Sequence, residues 1–223
     1  NLETTDAAWN LASEEYVFDQ LPRDRSYLML WQNANAVVIG KHQNAQNEVN
    51  LSYARQKGIQ IVRRLSGGGA VYHDMGNLNY TIISDAEQGD RLNFGLYCQP
   101  VLHTLKQLGI QAELSGRNDM TIQGRKFSGN AEYVRDGRIM HHGTLMFHSD
   151  LSVMEEVLQV DPEKIRGKGV KSVRSRVTNI SEYLNTELTL PEFREKLLAE
   201  VLRGKEGEEY QIHQTDSEQI ERI

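Results

Sequence analysis

The stretch that decides the fold reads RRLSGGGAVYHDMGN and runs from Arg63 to Asn77. It places three consecutive glycines between two short apolar segments that are typical of strands. Glycine lets the backbone turn where side chains forbid it, and it lets a ligand approach the peptide N–H groups. Arginine, which precedes the glycines twice, is well suited to carboxylates and phosphates. We therefore predict a ligand-binding loop with cationic walls; a plain glycine-rich hairpin loop is the alternative.

Two common nucleotide-binding motifs are excluded at this loop. A Walker loop needs Gly-Lys-Ser or Gly-Lys-Thr, whereas Gly69 is followed by Ala70. A dinucleotide fingerprint has spaced glycines followed by a helix, whereas these glycines are adjacent and a predicted strand follows them. The loop therefore belongs to another class of ligand site.

Composition limits the class of protein. The chain has 223 residues, of which 39% are hydrophobic and 25% are charged, as in soluble globular domains, and its length predicts one large domain or one domain plus a fragment. The net charge of −6 disfavours nucleic-acid binding, which uses a basic surface. The single cysteine, Cys98, allows no internal disulfide and predicts a reducing, cytoplasmic compartment.

The two ends of the chain and its apolar runs carry a further expectation. No run reaches membrane-spanning length and no signal peptide is visible, so we expect no membrane partner. The chain begins at Asn1, and residues 216–223 look like a helix that is just starting. We therefore expect it to be a fragment of a longer protein.

Hydrophobic periodicity and capping residues predict helices mixed with short strands. The predicted helices cover residues 6–21, 46–57, 92–108, 150–159 and 189–202. The predicted strands cover residues 28–31, 36–39, 59–62, 78–84, 120–122, 131–135 and 139–148. Because strands outnumber helices and come mainly as hairpins, we predict an α+β fold, a mixed, largely antiparallel β-sheet with packed helices.

A second polar cluster extends over residues 116–131. Lys126 follows a short predicted strand and precedes a predicted glycine turn at Ser128-Gly129. Its ammonium group suits a phosphate or a developing oxyanion, and a solvated lysine is the alternative. His141 and His142 are adjacent on a predicted strand, so only one of them can face a given site. A histidine half-buried in the sheet is favoured over a metal ligand, because the other histidines lack ligand spacing.

Three further features each allow two interpretations. Glu14 lies on an apolar stripe of the first helix, where an unpaired carboxylate is costly; a boundary position that reaches water is favoured. Cys98 lies in a predicted helix without a nearby histidine, which favours packing over a nucleophilic role. Residues 164–176 hold six Lys or Arg residues, two glycines and no acidic residue. They predict either a mobile loop that folds over a phosphorylated ligand or a solvated surface loop.

Together and in this order, the motifs resemble the lipoate–protein ligase A family, in the superfamily that also holds biotin ligases and octanoyltransferases. The stretch from Arg63 to Asn77 looks like the lipoate-binding loop of that family. The other matching segments are residues 10–15, 38–44, 115–119, 125–129, 141–144 and 171–179. The resemblance covers residues 6–185 and implies the biotin/lipoate ligase catalytic-domain fold, and the basic segment favours the ligase branch.

The resemblance implies a reaction in two steps. Lipoate and ATP give lipoyl-AMP and pyrophosphate, and the lipoyl group then passes to a lysine of an acceptor domain. Such acceptors are of the glycine cleavage H protein type or the 2-oxoacid dehydrogenase E2 type. The resemblance also implies a catalytic domain over residues 1–185, and a helical or linker segment over residues 186–223 that leads to an accessory domain not present in this chain.

The resemblance assigns roles to individual residues. Lys126 matches the family's essential lysine and would hold the lipoate carboxylate against the α-phosphate. Asp119 is the expected ligand of Mg²⁺. The residues matching lipoate-binding positions are Glu14, Trp31, Ser66, His73 and Lys126. The residues matching positions that contact ATP or lipoyl-AMP are Arg64, Gly69, Ala70, Val71, Tyr72, Asn77, Asn118, Asp119, Lys126, Ser128, His142 and Thr144.

Two other function classes stay open at this point. One is an octanoyl or lipoyl transferase that needs no ATP and uses Cys98 as its nucleophile. The other is a non-catalytic paralogue that binds lipoate. Release of pyrophosphate from ATP would separate the ligase from both.

Overall fold

The computed structural model describes residues 2–85, 93–116, 118–158 and 176–223. Its helices are α1 (Ala7–Gln20), α2 (Ala45–Glu48), α3 (Leu51–Gln56), α4 (Phe94–Gln107), α5 (Leu151–Val157), α6 (Leu190–Val201) and α7 (Gln214–Ile220), with a 3₁₀ turn at Ile180–Tyr183. Its strands are β1 (Tyr27–Trp31), β2 (Ala36–Ile39), β3 (Gln60–Arg63), β4 (Val71–His73), β5 (Asn77–Asp85), β6 (Ala112–Ser115), β7 (Asp119–Ile122), β8 (Arg125–Arg135) and β9 (Arg138–Met146). None of the described helices is long and apolar enough to cross a membrane.

The strands form two sheets. The large sheet has the order β1-β5-β9-β8-β7-β6, and all its neighbours are antiparallel. The small sheet has the order β3-β2-β4, in which β2 pairs parallel with β3 and antiparallel with β4. The predicted α+β fold with a mixed, largely antiparallel sheet is confirmed.

Apolar side chains on the two faces of the large sheet form separate cores. On one face α4 and α6 pack against the sheet, where Phe193 lies in the same cluster as Leu145 of β9. On the other face α1 and α7 pack, and Phe18 lies with Met140 of β9. A third cluster joins the small sheet to α3 and α5. Because α6 packs into the first core, residues 190–201 are part of this body; the expected boundary after residue 185 stays a prediction.

The single helix expected over residues 46–57 is wrong, since the chain forms α2 and α3 instead. Asn50 separates them. Its backbone N–H donates to the carbonyl of Val157 at 2.8 Å, and its side chain accepts the N–H of Tyr53 at 3.1 Å. Asparagine favours such capping over a helix interior, so a new helix starts here.

The glycine turn expected at Ser128-Gly129 is also wrong, because both residues lie inside β8. The β7–β8 hairpin turns earlier, at Gln123 and Gly124, where φ is +51° and +75°. The pairing register shifts between Met120 and Thr121. Gly129 is therefore a strand residue. The space beside it is occupied by the Lys126 side chain, since a Cβ at Gly129 would stand 2.9 Å from Lys126 Nζ.

Candidate active site

A cavity of about 480 Å³ is lined by residues of both sheets and of the glycine loop, residues 65–70. Ten of the residues singled out from the sequence line it: Trp31, Arg64, Gly69, Ala70, Val71, His73, Asn118, Lys126, His142 and Thr144. The remaining ones lie outside its lining: Glu14, Ser66, Tyr72, Asn77, Asp119 and Ser128. Each of these has a hydrogen bond or an ion pair within the protein.

Arg64 organises the glycine loop from inside. Its Nη2 donates to the carbonyl oxygens of Gly67 and Gly69 at 2.7 and 2.8 Å. Its Nε donates to Ser66 Oγ at 3.0 Å and its Nη1 to the carbonyl of Val38 at 3.1 Å. Burial lowers the pKa of the guanidinium to about 10, so it stays protonated near neutral pH. The loop is thus wrapped around a buried cation.

Arg63 also binds carbonyl oxygens, so the expected cationic walls are not formed by the two arginines. Its Nη1 donates to the carbonyls of Gly40 and Gln43, each at 2.8 Å. The turn held in this way lies directly against the glycine loop. A Cβ on Gly40 would stand 2.0 Å from the carbonyl oxygen of Gly68, and this close approach requires a glycine.

Lys126 brings a positive charge to the cavity. Its Nζ lies 2.7 Å from Oδ1 of Asp119, and the two side chains are 37% and 40% exposed. The lysine side chain runs over Gly129, where a Cβ would stand 2.9 Å from Nζ. Glycine at this position of β8 therefore lets Lys126 reach Asp119 on the neighbouring strand.

A buried polar cluster joins α1 to the large sheet. Nε2 of His142 forms a hydrogen bond with Ser66 Oγ at 2.6 Å, and Nδ1 of the same ring lies 3.0 Å from Oε1 of Glu14. The Thr81 hydroxyl also donates to Glu14, and the Trp31 indole N–H donates to Thr81 at 2.9 Å. Glu14 is only 1% exposed, so the favoured expectation that it reaches water is wrong; its partners offset the cost of burial.

His73 lines the cavity as a neutral ring with a fixed proton. Burial lowers its pKa to about 3. Nδ2 of Asn33 donates to His73 Nδ1 at 3.0 Å. The orientation of the Asn33 amide is fixed, because Asn33 Oδ1 accepts from Asn10 Nδ2 at 2.9 Å. The ring proton therefore lies on Nε2. That atom is buried and has no partner among the described residues.

Asn79 is a cavity residue that the sequence analysis missed. It lies opposite Thr144 in the sheet, and its Oδ1 accepts from Asn77 Nδ2 at 2.9 Å. Its own Nδ2 is buried and finds no partner within the described part of the chain. Alternation along β5 could have found it, because Asn79 is two residues from Asn77 and so shares its face. The cavity lining also includes Gly67 and Gly68 of the predicted ligand-binding loop. The other lining residues to which the sequence assigned no binding role are Leu11, Val38, Phe94, Gly129, Asn130, Ala131, Glu132 and Gly143.

Cys98 lies in the core between α4 and the large sheet and is fully buried. Its Sγ lies 3.7 Å from the Tyr80 hydroxyl. Burial raises the pKa of the thiol to about 11, whereas a nucleophilic cysteine needs an accessible thiolate. The packing interpretation of Cys98 is the one this environment supports.

Two expectations from the sequence concern a metal ion and the basic segment at residues 164–176. Within the described ranges, no group of three or more His, Cys, Asp or Glu residues could hold a metal ion, and Asp119 is the acidic side chain at Lys126. The basic segment at residues 164–176 lies outside the described residues except for Arg176, which is exposed.

Comparison with known proteins identifies the family. The family described as "Lipoyl protein ligase A/B catalytic domain" matches residues 6–202. The lipoate-protein ligase LplJ of Bacillus subtilis (strain 168) is 45% identical over 226 residues, which cover 100% of this chain and 68% of that protein. Lipoate–protein ligase 1 of Staphylococcus aureus (strain Mu50) is 44% identical, with coverages of 100% and 68%.

Solved structures give the same answer for the fold. A bipartite lipoate protein ligase from Thermoplasma acidophilum, described together with its E2 lipoyl domain, matches with a TM-score of 0.88 and 30% identity, covering 99% of this chain and 89% of that one. A T. acidophilum protein with bound lipoic acid matches with a TM-score of 0.87 and 26% identity, covering 100% and 91%. A lipoate-protein ligase A bound with ATP matches with a TM-score of 0.84 and 26% identity, covering 97% and 89%. With the family match over most of its length and two ligases at more than 40% identity, this chain belongs to the lipoyl protein ligase A/B catalytic-domain family and is an enzyme that ligates lipoate to protein.

Proposed function

We propose that the cavity holds lipoate and ATP together and that Lys126 aligns their reacting groups. The observation that carries this assignment is the position of Lys126, whose ammonium pairs with Asp119 and which lines the same cavity as the glycine loop. In the first step, a carboxylate oxygen of lipoate attacks the α-phosphorus of ATP, the bond to pyrophosphate breaks and lipoyl-AMP forms. In the second step, the amine of an acceptor lysine attacks the acyl carbon and AMP leaves.

Lys126 supplies the charge that this first step needs. The carboxylate and the α-phosphate are both anionic and repel each other, and a fixed cation between them reduces that repulsion as the new bond forms. Asp119 holds the ammonium in place through the 2.7 Å ion pair. This role does not require Lys126 to act as a nucleophile.

The glycine loop is proposed to bind phosphate oxygens through its backbone. Because Arg64 draws the carbonyl oxygens of Gly67 and Gly69 inward, the loop is held in a shape that can offer N–H groups to an anion. Arg64 is then a buried support for the loop, and Gly69, Ala70 and Val71, which line the cavity, would contact the nucleotide.

The acyl chain of lipoate is proposed to lie along the apolar part of the cavity. Leu11 and Trp31 line that part, and Trp31 is held by its hydrogen bond to Thr81. The buried donors His73 Nε2 and Asn79 Nδ2 have no partner among the described residues. Buried donors are normally paired, so a ligand with hydrogen-bond acceptors fits this cavity better than a purely apolar one.

A magnesium ion fits this site through Asp119. Mg²⁺ is usually held by one or two carboxylates together with substrate phosphates, and the described residues offer one carboxylate at Lys126. Asp119 would be that ligand, and the ion would neutralise charge on the phosphates of ATP.

The acceptor is proposed to be a lipoyl-accepting domain of the glycine cleavage H protein type or the 2-oxoacid dehydrogenase E2 type. One structural relative is described with its E2 lipoyl domain, which supports the second type. A cytoplasmic location is proposed from the single, reduced and buried Cys98.

The alternative of a cysteine-dependent transferase finds no support at Cys98. Its thiol is buried in the α4 core, outside the cavity lining, and its pKa is raised to about 11. A non-catalytic paralogue would not need to keep Lys126 paired with Asp119 at the cavity.

One experiment tests this function. The protein is incubated with lipoate, ATP and Mg²⁺, with and without an apo lipoyl domain, and products are followed by mass spectrometry and by pyrophosphate release. We expect lipoyl-AMP without the acceptor and a lipoylated lysine with it, in wild type and in Cys98→Ser. Transfer that needs no ATP and is lost in a folded Cys98→Ser protein would establish the transferase instead.

A further inference from the structure

We propose that Asn130 is a positioning residue for the ligase reaction and that it acts by fixing Asn118. Asn118 lines the cavity and directly precedes Asp119, whose carboxylate holds the Lys126 ammonium. The proposal rests on the proposed roles of Lys126 and Asp119. Its support lies in a buried relay of side chains on the face of the large sheet that packs against α4.

Asn130 and Asn118 are clamped together by three hydrogen bonds. The backbone N–H of Asn130 donates to the carbonyl of Asn118 at 2.9 Å, and Asn130 Nδ2 donates to the same oxygen at 3.0 Å. In return, Asn118 Nδ2 donates to the carbonyl of Asn130 at 2.6 Å. The pairing of β7 with β8 begins at Asp119, opposite Gly129, and continues toward Ile122. The hydrogen bonds between Asn118 and Asn130 therefore fix the position of the chain just before β7 begins.

Tyr80 fixes the orientation of the Asn130 amide. Its hydroxyl donates to Asn130 Oδ1 at 2.6 Å. If the amide turned over, its Oδ1 would face the carbonyl oxygen of Asn118 and two acceptors would meet. The hydroxyl therefore keeps the amide nitrogen directed at Asn118, since a buried amide takes the orientation that pairs all its groups.

The relay continues behind Tyr80. Because the single hydroxyl proton is used on Asn130, the Tyr80 oxygen can accept from His141 Nε2, which lies 3.3 Å away. His141 Nδ1 lies 3.1 Å from Oε1 of Glu132, and its ring stacks on Tyr97 with centroids 4.9 Å apart. Glu132 and the Tyr80 hydroxyl therefore hold the His141 ring from its two nitrogens. The side chains of His141 and Glu132 are only 0% and 1% exposed.

Gly143 gives independent support for this arrangement. A Cβ at this position would stand 2.1 Å from Asn130 Oδ1 and 2.6 Å from Cε1 of Tyr80. The space that a side chain would take is filled by the contact between these two residues. The relay therefore explains the glycine in the His141-His142-Gly143-Thr144 motif.

The first test compares Asn130→Ala and Tyr80→Phe with wild type in lipoyl-AMP formation. We expect kcat to fall by about tenfold to a hundredfold in Asn130→Ala, because small misplacements of reacting groups have effects of this size. Tyr80→Phe should show a smaller fall in the same direction. KM for lipoate should stay unchanged, because Trp31 and His142 are not touched. Thr104→Val is the matched control, since it removes one buried hydroxyl that binds Pro100 within α4 and should lower stability alone.

The second test is the double variant Tyr80→Phe/Asn130→Ala. If Tyr80 acts only through Asn130, the double variant is no slower than Asn130→Ala alone, whereas independent structural damage would add. Normal kcat in folded Asn130→Ala, or additive losses in the double variant, would overturn the proposal; if Asn130→Ala does not fold, normal kcat in Tyr80→Phe overturns it. Wild type and Lys126→Ala in the same assay test the proposed role of Lys126 separately: a wild-type rate in Lys126→Ala would disprove that role, whatever the Asn130 variants do.

Discussion

At the scale of single residues, Lys126 is the charge on which the proposed adenylation depends. We expect Lys126→Ala to lower the rate of lipoyl-AMP formation by roughly a hundredfold to a thousandfold, as for loss of one preorganised stabilising group. The fold should survive, because the side chain is partly exposed. Lys106→Ala on α4 is the matched control, since Lys106 is exposed and outside the cavity lining. Single-turnover assays measure the rate, and a wild-type rate in Lys126→Ala would remove the lysine from the mechanism.

His73 should make the stability of the protein depend on acid. Burial, with smaller contributions from the charges of Arg64 and His142, lowers its pKa from the ordinary 6.5 to about 3. Between these values the unfolded chain binds a proton that the folded protein does not. The free energy of unfolding therefore falls as the pH is lowered from 6.5 toward 3, by up to about 1.4 kcal/mol per pH unit.

His73→Gln tests that expectation, because it removes the titrating ring and keeps a polar side chain. Urea unfolding of both proteins at a series of pH values between 7 and 4 gives the two stability curves. The variant should lose less stability on acidification than wild type does. Parallel curves would mean that His73 is not held neutral in the fold.

At the scale of elements, the glycine loop combines a conformational demand with a steric one. Gly68 has a φ of +97°, and a Cβ there would stand 2.9 Å from Nη2 of Arg64. Valine disfavours this backbone region and would push the arginine from the carbonyls it binds. We expect Gly68→Val to weaken binding of lipoyl-AMP or a stable analogue by more than tenfold, which is about 1.4 kcal/mol.

Gly58→Val is the control for backbone strain alone. Its φ is +62° and a Cβ there meets nothing within 4 Å, so it should lower the melting temperature but leave affinity unchanged. Calorimetric titration and thermal unfolding separate the two effects. Equal affinity of Gly68→Val and wild type would mean that the glycines serve the turn only.

At the scale of the whole molecule, the last helix is fastened to the first. Asp216 of α7 accepts hydrogen bonds from Tyr16 at 2.7 Å and from Tyr210 at 2.8 Å, and Ile220 is buried in the α1 core. We expect Asp216→Ala to lower the free energy of unfolding by about 1–3 kcal/mol, because it leaves the buried Tyr16 hydroxyl unpaired. Adenylation kinetics should stay near wild type, since Asp216 does not line the cavity.

Glu218→Ala is the matched control on the same helix, because Glu218 is exposed. Urea unfolding of both variants gives the comparison. A stability loss in Glu218→Ala as large as in Asp216→Ala would show that helix α7 frays as a unit and that the Asp216 contacts add nothing.

Local features of the sequence determined the element types and the centre of the site. Apolar periodicity and capping residues depend on residues close in the chain, and they predicted an α+β fold that the structure confirms. The three adjacent glycines and Lys126 were visible as chemistry at a given spacing, and both are found at one cavity. Errors arose where one residue type is compatible with two local structures. Gly129 was predicted to lie in a turn, but it lies in a strand.

The tertiary structure alone decided which polar side chains are paired. Glu14 meets His142 across 128 positions of sequence, and Ser66 meets His142 across 76; no local pattern encodes such partners. Arg63 and Arg64, which precede the glycine loop, look like ligand-binding groups in the sequence. In the structure, Arg64 is buried and donates to the carbonyl oxygens of the loop itself. Hydrophobic periodicity can be seen in the sequence itself. Whether a charge is buried, and which partner offsets the cost of its burial, depends on how elements distant in the sequence pack together.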